Sequence, residues 1–84
     1  MTQITEPDQA ASQEMAALGA GLRAARALVA LKQRDIAEMC GVSCGVVSRA
    51  EAGESITTDN LFRILWALGA SLPDVCLKPR GARR

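Results

Sequence analysis

The sequence predicts an all-α fold, a compact arrangement of four to five short helices. Three observations carry that reading. Apolar residues recur at helical spacing over most of the chain. Glycines that can end a helix and hydroxyl side chains that can cap one stand at the boundaries of the periodic stretches: Gly41, Ser43, Thr57 and Gly69. Residues 33–53 read as two short helices joined by a tight, Gly-containing turn, with the second helix presented outward. At 84 residues the chain makes one domain, with a marginal core unless self-association extends it. Phe62 and Trp66 are its only aromatic residues, so the core consists mainly of Leu, Ile, Val, Ala and Met.

Residues 1–14 contain Pro7 and mostly small or polar side chains, and are expected to form a disordered N-terminal arm. Across 15–30 the spacing predicts a helix, with Leu18, Leu22, Ala25 and Val29 on one face. Gly19 and Gly21 weaken its first half by up to ~1 kcal/mol each relative to Ala. Arg23 and Arg26 lie at the edge of the apolar face.

A second helix starts near Gln33, with Ile36, Ala37, Met39 and Cys40 in its apolar stripe. Lys32 precedes it where a capping residue is usual. A cation there costs about 0.3–1 kcal/mol, which a bound anion would relieve and an exposed lysine would simply bear. Gly41 ends this helix, and Ser43 opens a third that runs to about residue 52. Val42, Val46, Val47 and Ala50 turn inward, leaving Cys44, Gly45, Ser48 and Arg49 outward.

The fourth helix has the clearest boundaries. Thr57 caps its start, Ile56 can staple onto Leu61, Asp59 suits the positive dipole end, and Gly69 stops it. Leu61, Phe62, Ile64, Leu65, Trp66 and Leu68 leave hardly any polar face, which predicts burial nearly all round and hence a partner surface, most simply a second copy. The stretch from Ser71 to Asp74 fits a capped helix start. The alternation from Val75 to Lys78 before Pro79 fits a short strand that pairs across a dimer, and the strand is preferred. Residues 78–84 form a basic tail, read as solvated rather than phosphate-binding.

Net charge is +1, which announces no nucleic-acid partner. No run approaches the roughly 18 apolar residues of a membrane span, and no basic-then-apolar leader opens the chain. The odd count of 3 cysteines without paired spacing fits a reducing, cytoplasmic setting. Cys40 and Cys44 are separated by the Gly41 turn and there is no His, so no metal site is expected. Without His, a phosphate-binding loop or a carboxylate pair in an apolar setting, neither an enzyme nor a cofactor is expected.

The residues then match a family. The stretch 18–72 resembles the lambda-repressor/Cro-like (XRE) helix-turn-helix domains at Leu-Arg-Ala-Ala-Arg (22–26), Leu-Lys-Gln (31–33), Ile-Ala-Glu-Met-Cys-Gly-Val-Ser (36–43), Val-Ser-Arg-Ala-Glu-Ala-Gly (47–53) and Ala-Leu-Gly (67–69). The resemblance implies a lambda-repressor-like DNA-binding domain over 15–77 that docks its third helix in the major groove of double-stranded DNA. It implies a homodimeric repressor reading two half-sites of a palindromic operator. Carried over residue by residue, Gln33 contacts a phosphate, with Lys32 and Ser43 beside it. Arg26 and Glu51 become a buried ion pair bracing two helices. Cys44, Gly45, Ser48 and Arg49 take the base-reading positions.

Cys44 and Gly45 depart from the polar residues usual there. Gly45 permits close approach to DNA and Cys44 offers contact to a thymine methyl. Arg49 is the strongest reader, bidentate to guanine and worth about 1–3 kcal/mol of discrimination, against the alternative of a phosphate contact. Specificity then rests substantially on dimer spacing and DNA shape.

The C-terminal third, from Thr57 to Gly69 and then Leu77-Lys-Pro-Arg, also resembles the short HipB-like antitoxins. This implies an autoregulating antitoxin with a toxin protein partner and a dimer interface at Phe62, Trp66, Val75 and Leu77. Pro73 and Asp74 interrupt the alternation of such a strand. A competing reading of a different class is a protein-interaction module of the same fold that touches DNA weakly or not at all.

Overall fold

The structure, a computed structural model, describes residues 6–76. Five helices follow in order: α1 (Pro7–Leu28), α2 (Gln33–Cys40), α3 (Cys44–Glu51), α4 (Thr58–Leu68) and α5 (Leu72–Val75). There is no strand among the described residues.

The first helix is longer than the sequence suggested, because residues 7–14 continue it instead of forming an arm. Pro7 stands at the first helical position, where its missing N–H is one that no helix bonds and its fixed φ is already helical. Asp8 in the first turn faces the positive dipole end, and the Ala-rich run that follows favours helix. Residues 1–5 of the expected arm lie outside the described residues. At the other end the helix stops at Leu28, so Val29 falls past the register of its stripe and is 45% exposed. Ala30 then takes a left-handed conformation at φ 57°, which costs an L-residue about 1–2 kcal/mol.

The core gathers around Leu22 of α1, Ile36 of α2, Val47 of α3, Ile64 of α4 and Val75 of α5, one fully buried side chain from each helix. α2 packs on α3 and α4, while α1 lies across α3 and α5. The two glycines that weaken α1 make this packing feasible. A methyl at Gly19 would stand 2.6 Å from the Glu51 carbonyl oxygen, and one at Gly21 would overlap the Val75 carbonyl. Each is a place where another helix's backbone rests directly on α1.

α4 starts as expected, with Thr57 Oγ1 accepting the Asn60 N–H at 3.1 Å, and its inner side carries Ile64, Leu65, Ala67 and Leu68. Within the single chain its outer side stays uncovered. Phe62 is 53% and Trp66 71% exposed, one turn apart on the outer side.

Residues 72–75 form helix α5, as the capped start at Ser71 allows, which corrects the preferred strand at Val75; its residues from Leu77 lie outside the described residues. Ser71 precedes it, and its N–H and Oγ–H both donate to Asp74 Oδ2 at 2.9 Å. Pro73 sits in the first turn, where its missing N–H costs nothing. Val75, expected on a dimer surface, is fully buried within the chain. Leu77 and the basic tail lie outside the described residues.

Candidate nucleic-acid interface

The helix-turn-helix unit is built by local chemistry. Gly41 takes φ 76°, which only glycine adopts without strain, and there the N–H groups of Gly41 and Val42 both donate to the Ala37 carbonyl, at 2.9 and 3.1 Å. Two residues later Ser43 Oγ accepts the Val46 N–H at 3.2 Å and starts α3. Val47 and Ala50 anchor α3 in the core, so Cys44, Gly45, Ser48 and Arg49 are all solvent-exposed.

Beneath that face lies a buried polar network centred on Glu51. Its side chain is only 3% exposed. Arg26 donates Nε to Oε2 at 2.6 Å and Nη2 to Oε1 at 3.0 Å, a bidentate fork from α1 to the end of α3. The remaining Arg26 nitrogen, Nη1, donates to the Leu31 carbonyl at 2.9 Å and so fixes the α1–α2 loop. Gln33 Nε2 donates to Glu51 Oε1 at 3.0 Å, and Arg23 Nε approaches the same oxygen at 3.7 Å. Burial pushes the Glu51 carboxyl upward. The hydrogen bonds from Arg26 and Gln33, with the charges of Arg26 and Arg23, outweigh it and hold the group below its ordinary value. No buried side-chain nitrogen or oxygen among the described residues lacks a partner.

This network joins residues that the sequence left separate. Gln33, assigned to a DNA phosphate, commits one amide hydrogen to Glu51 and has a second to give. Arg23, read only as an edge residue of α1, is drawn to the same carboxylate.

The charges sort in a way that composition hides. Arg23 and Arg26 pair with Glu51, and Arg63 pairs with Asp59 at 2.8 Å while donating to the Cys40 carbonyl at 3.3 Å. Lys32, Arg34 and Arg49 form no ion pair among the described residues. All three belong to the helix-turn-helix unit: Lys32 and Arg34 at the start of α2, Arg49 on the outer face of α3. The Lys32 backbone N–H is held by Asp35 Oδ2 at 2.8 Å, and the residue is exposed at the helix entrance. Arg34 was missed in the sequence. The only signal was its position two residues after Lys32, in a chain whose net charge is near zero.

Cys40 is buried, whereas Cys44 and Cys76 are exposed, and all are free. No cluster of three or more His, Cys, Asp or Glu suited to a metal occurs among the described residues. No helix among them is long and apolar enough to cross a membrane.

Comparison with known proteins places this geometry. A helix-turn-helix family model matches residues 22–75, which span the Glu51 network, the turn and α5. A crystal structure of the clp gene regulator ClgR from Corynebacterium glutamicum is 37% identical, covers 83% of this chain and 92% of that chain, and superposes with a TM-score of 0.69. The hypothetical transcription factor NHTF from Neisseria is 22% identical, covers 98% of this chain and 91% of its own, and has a TM-score of 0.71, a likeness of fold alone. Among curated proteins no sequence matches significantly. On the family match and the ClgR likeness, with the exposed α3 face and its braced turn, the chain belongs to the XRE-type helix-turn-helix family of non-enzymatic, DNA-binding transcription regulators.

Proposed function

We propose that the protein is a homodimeric repressor that lays α3 of each copy in the major groove at two half-sites of a palindromic operator. One observation carries the DNA-facing part. The cations that form no ion pair among the described residues, Lys32, Arg34 and Arg49, all belong to the helix-turn-helix unit, while Arg63 pairs with Asp59 and Arg23 and Arg26 share Glu51. In this reading Lys32, Ser43 and the free amide hydrogen of Gln33 grip phosphates, which orient the protein without specifying sequence. Cys44, Gly45, Ser48 and Arg49 face the base edges. The protein acts in the cytoplasm, where its thiols stay reduced.

The dimer rests on Phe62 and Trp66. Two large aromatic side chains one turn apart on the outside of α4 are the kind of anchor that buries at an interface. The likeness to a clp gene regulator makes a clp promoter the first operator to test. The antitoxin reading rests on the likeness of the C-terminal third alone: of its strand, Val75 is helical, and Leu77 and Lys78 lie outside the described residues.

The experiment is a mobility-shift titration on clp promoter fragments at two salt concentrations, with sedimentation of the same sample. A dimer that shifts the DNA, more weakly at high salt, supports the reading. An intact dimer with no shift on any fragment at low salt favours the protein-interaction module.

A further inference from the structure

Gly45 and Arg49 are one turn apart on the exposed face of α3. Side chains on a helix lean toward its N-terminus, so a long residue covers the surface over the residue four positions earlier. Arg49 does this: its Nη1 lies 3.4 Å from where a Gly45 Cβ would stand, with Ser43 Oγ 3.7 Å from the same point. The guanidinium therefore rests over bare backbone in the first turn of α3 and forms no ion pair among the described residues.

We propose that Gly45 is a specificity-determining residue because it seats the Arg49 guanidinium, so that the two positions form a single reader of one guanine per half-site. This rests on the DNA-reading function proposed above and sharpens it. A guanidinium laid along the helix tip presents its N–H edge as a fork, the geometry that matches O6 and N7 of guanine in the major groove. A branched or long side chain at position 45 occupies the seat and lifts the fork away. Gly45 thus acts through Arg49, and bare approach of its backbone to DNA is not its role.

The two roles separate on size. A Cβ at position 45 would meet Nη1 at 3.4 Å, an ordinary contact, so Gly45→Ala leaves the seat usable. The test selects binders from a pool of random duplexes long enough for two half-sites about one helical turn apart. It uses the full chain as wild type, Gly45→Ala, Gly45→Leu, Arg49→Ala and the Gly45→Leu/Arg49→Ala double variant. Circular dichroism confirms that each is folded.

The wild type is expected to enrich a guanine in each half-site, and Gly45→Ala to keep that preference within about threefold. Gly45→Leu and Arg49→Ala should each lose roughly tenfold or more of it, the scale of one bidentate contact. The double variant should lose no more than Arg49→Ala alone. Loss of the preference already in Gly45→Ala, or additive losses in the double variant, would overturn the seat while leaving DNA reading intact. A wild type that enriches no sequence at all would overturn both.

Discussion

The amide of Gln33, the first residue of α2, donates to the carboxylate of Glu51, the last residue of α3, at 3.0 Å. The end of α2 that would face a DNA backbone is thereby tied to the far end of the helix that would read bases. Arg26 holds the same carboxylate from α1, so three helices share one buried charge. The junction thus ties the two ends of the helix-turn-helix together and to α1.

Glu51→Ala strands the Arg26 guanidinium and removes the partner of Gln33. Breaking a buried pair from one side costs about 3–5 kcal/mol, a fall in Tm of roughly 12–40 °C for a domain of this size. Thermal denaturation followed by circular dichroism checks it. A fall of only a degree or two would mean that the junction contributes little.

The same carboxyl predicts a pH dependence. Its pKa in the folded chain lies below the ordinary 4.5, so the unfolded chain binds this proton more tightly. The stabilisation is complete above the ordinary value and is lost as pH falls through the lowered one. Wild-type Tm is expected to drop steeply in that acid window, and Glu51→Gln to drop less steeply from a lower start. Asp74, lowered by its hydrogen bonds from Ser71, contributes with the same sign.

Gly21→Ala would gain about 1 kcal/mol in an exposed helix but is expected to destabilise here, by about 1–3 kcal/mol, because the added methyl meets the Val75 carbonyl. Limited proteolysis should then cut after α4, since α5 is the element displaced. Unchanged stability and an uncut C-terminus would show that α5 is not seated on Gly21.

Lys32→Ala and Arg34→Ala are expected to weaken binding to all DNA sequences alike and to reduce the slope of log affinity against log salt by about 1 each. Arg63→Ala, which removes a cation already paired with Asp59, should leave the slope unchanged. Fluorescence anisotropy with a labelled duplex over a salt series reads both.

What the sequence revealed followed range. Thr57, Ser43, Gly41 and Gly69 act within a few residues of themselves, so their chemistry could be read directly, and the all-α class followed from them. Arg26 and Glu51 are 25 residues apart, and only the family resemblance joined them. Gly21 looked like a weakness in α1 because its reason lies in a backbone carbonyl of α5, which no local pattern encodes. Pro7 and the small or polar residues around it fit an arm, because tolerance of a proline depends on its being first in the helix. On α4, periodicity showed that nearly everything was apolar, and Phe62 and Trp66, expected at a dimer surface, are the large apolar residues left outside in the single chain. At 71–77, a capping box and an alternating pattern competed, and burial of Val75 decided for the helix over residues 72–75.

In the proposed function, DNA meets the protein on the outer face of α3 and the start of α2. Amide chemical-shift mapping on addition of a duplex the protein binds tests it most directly. The largest changes are expected at Lys32, Gln33, Arg34 and from Cys44 to Arg49, with little change around Phe62 and Trp66 beyond that of dimerisation. Changes confined to the Phe62–Trp66 side of α4, with α3 unmoved, would contradict it.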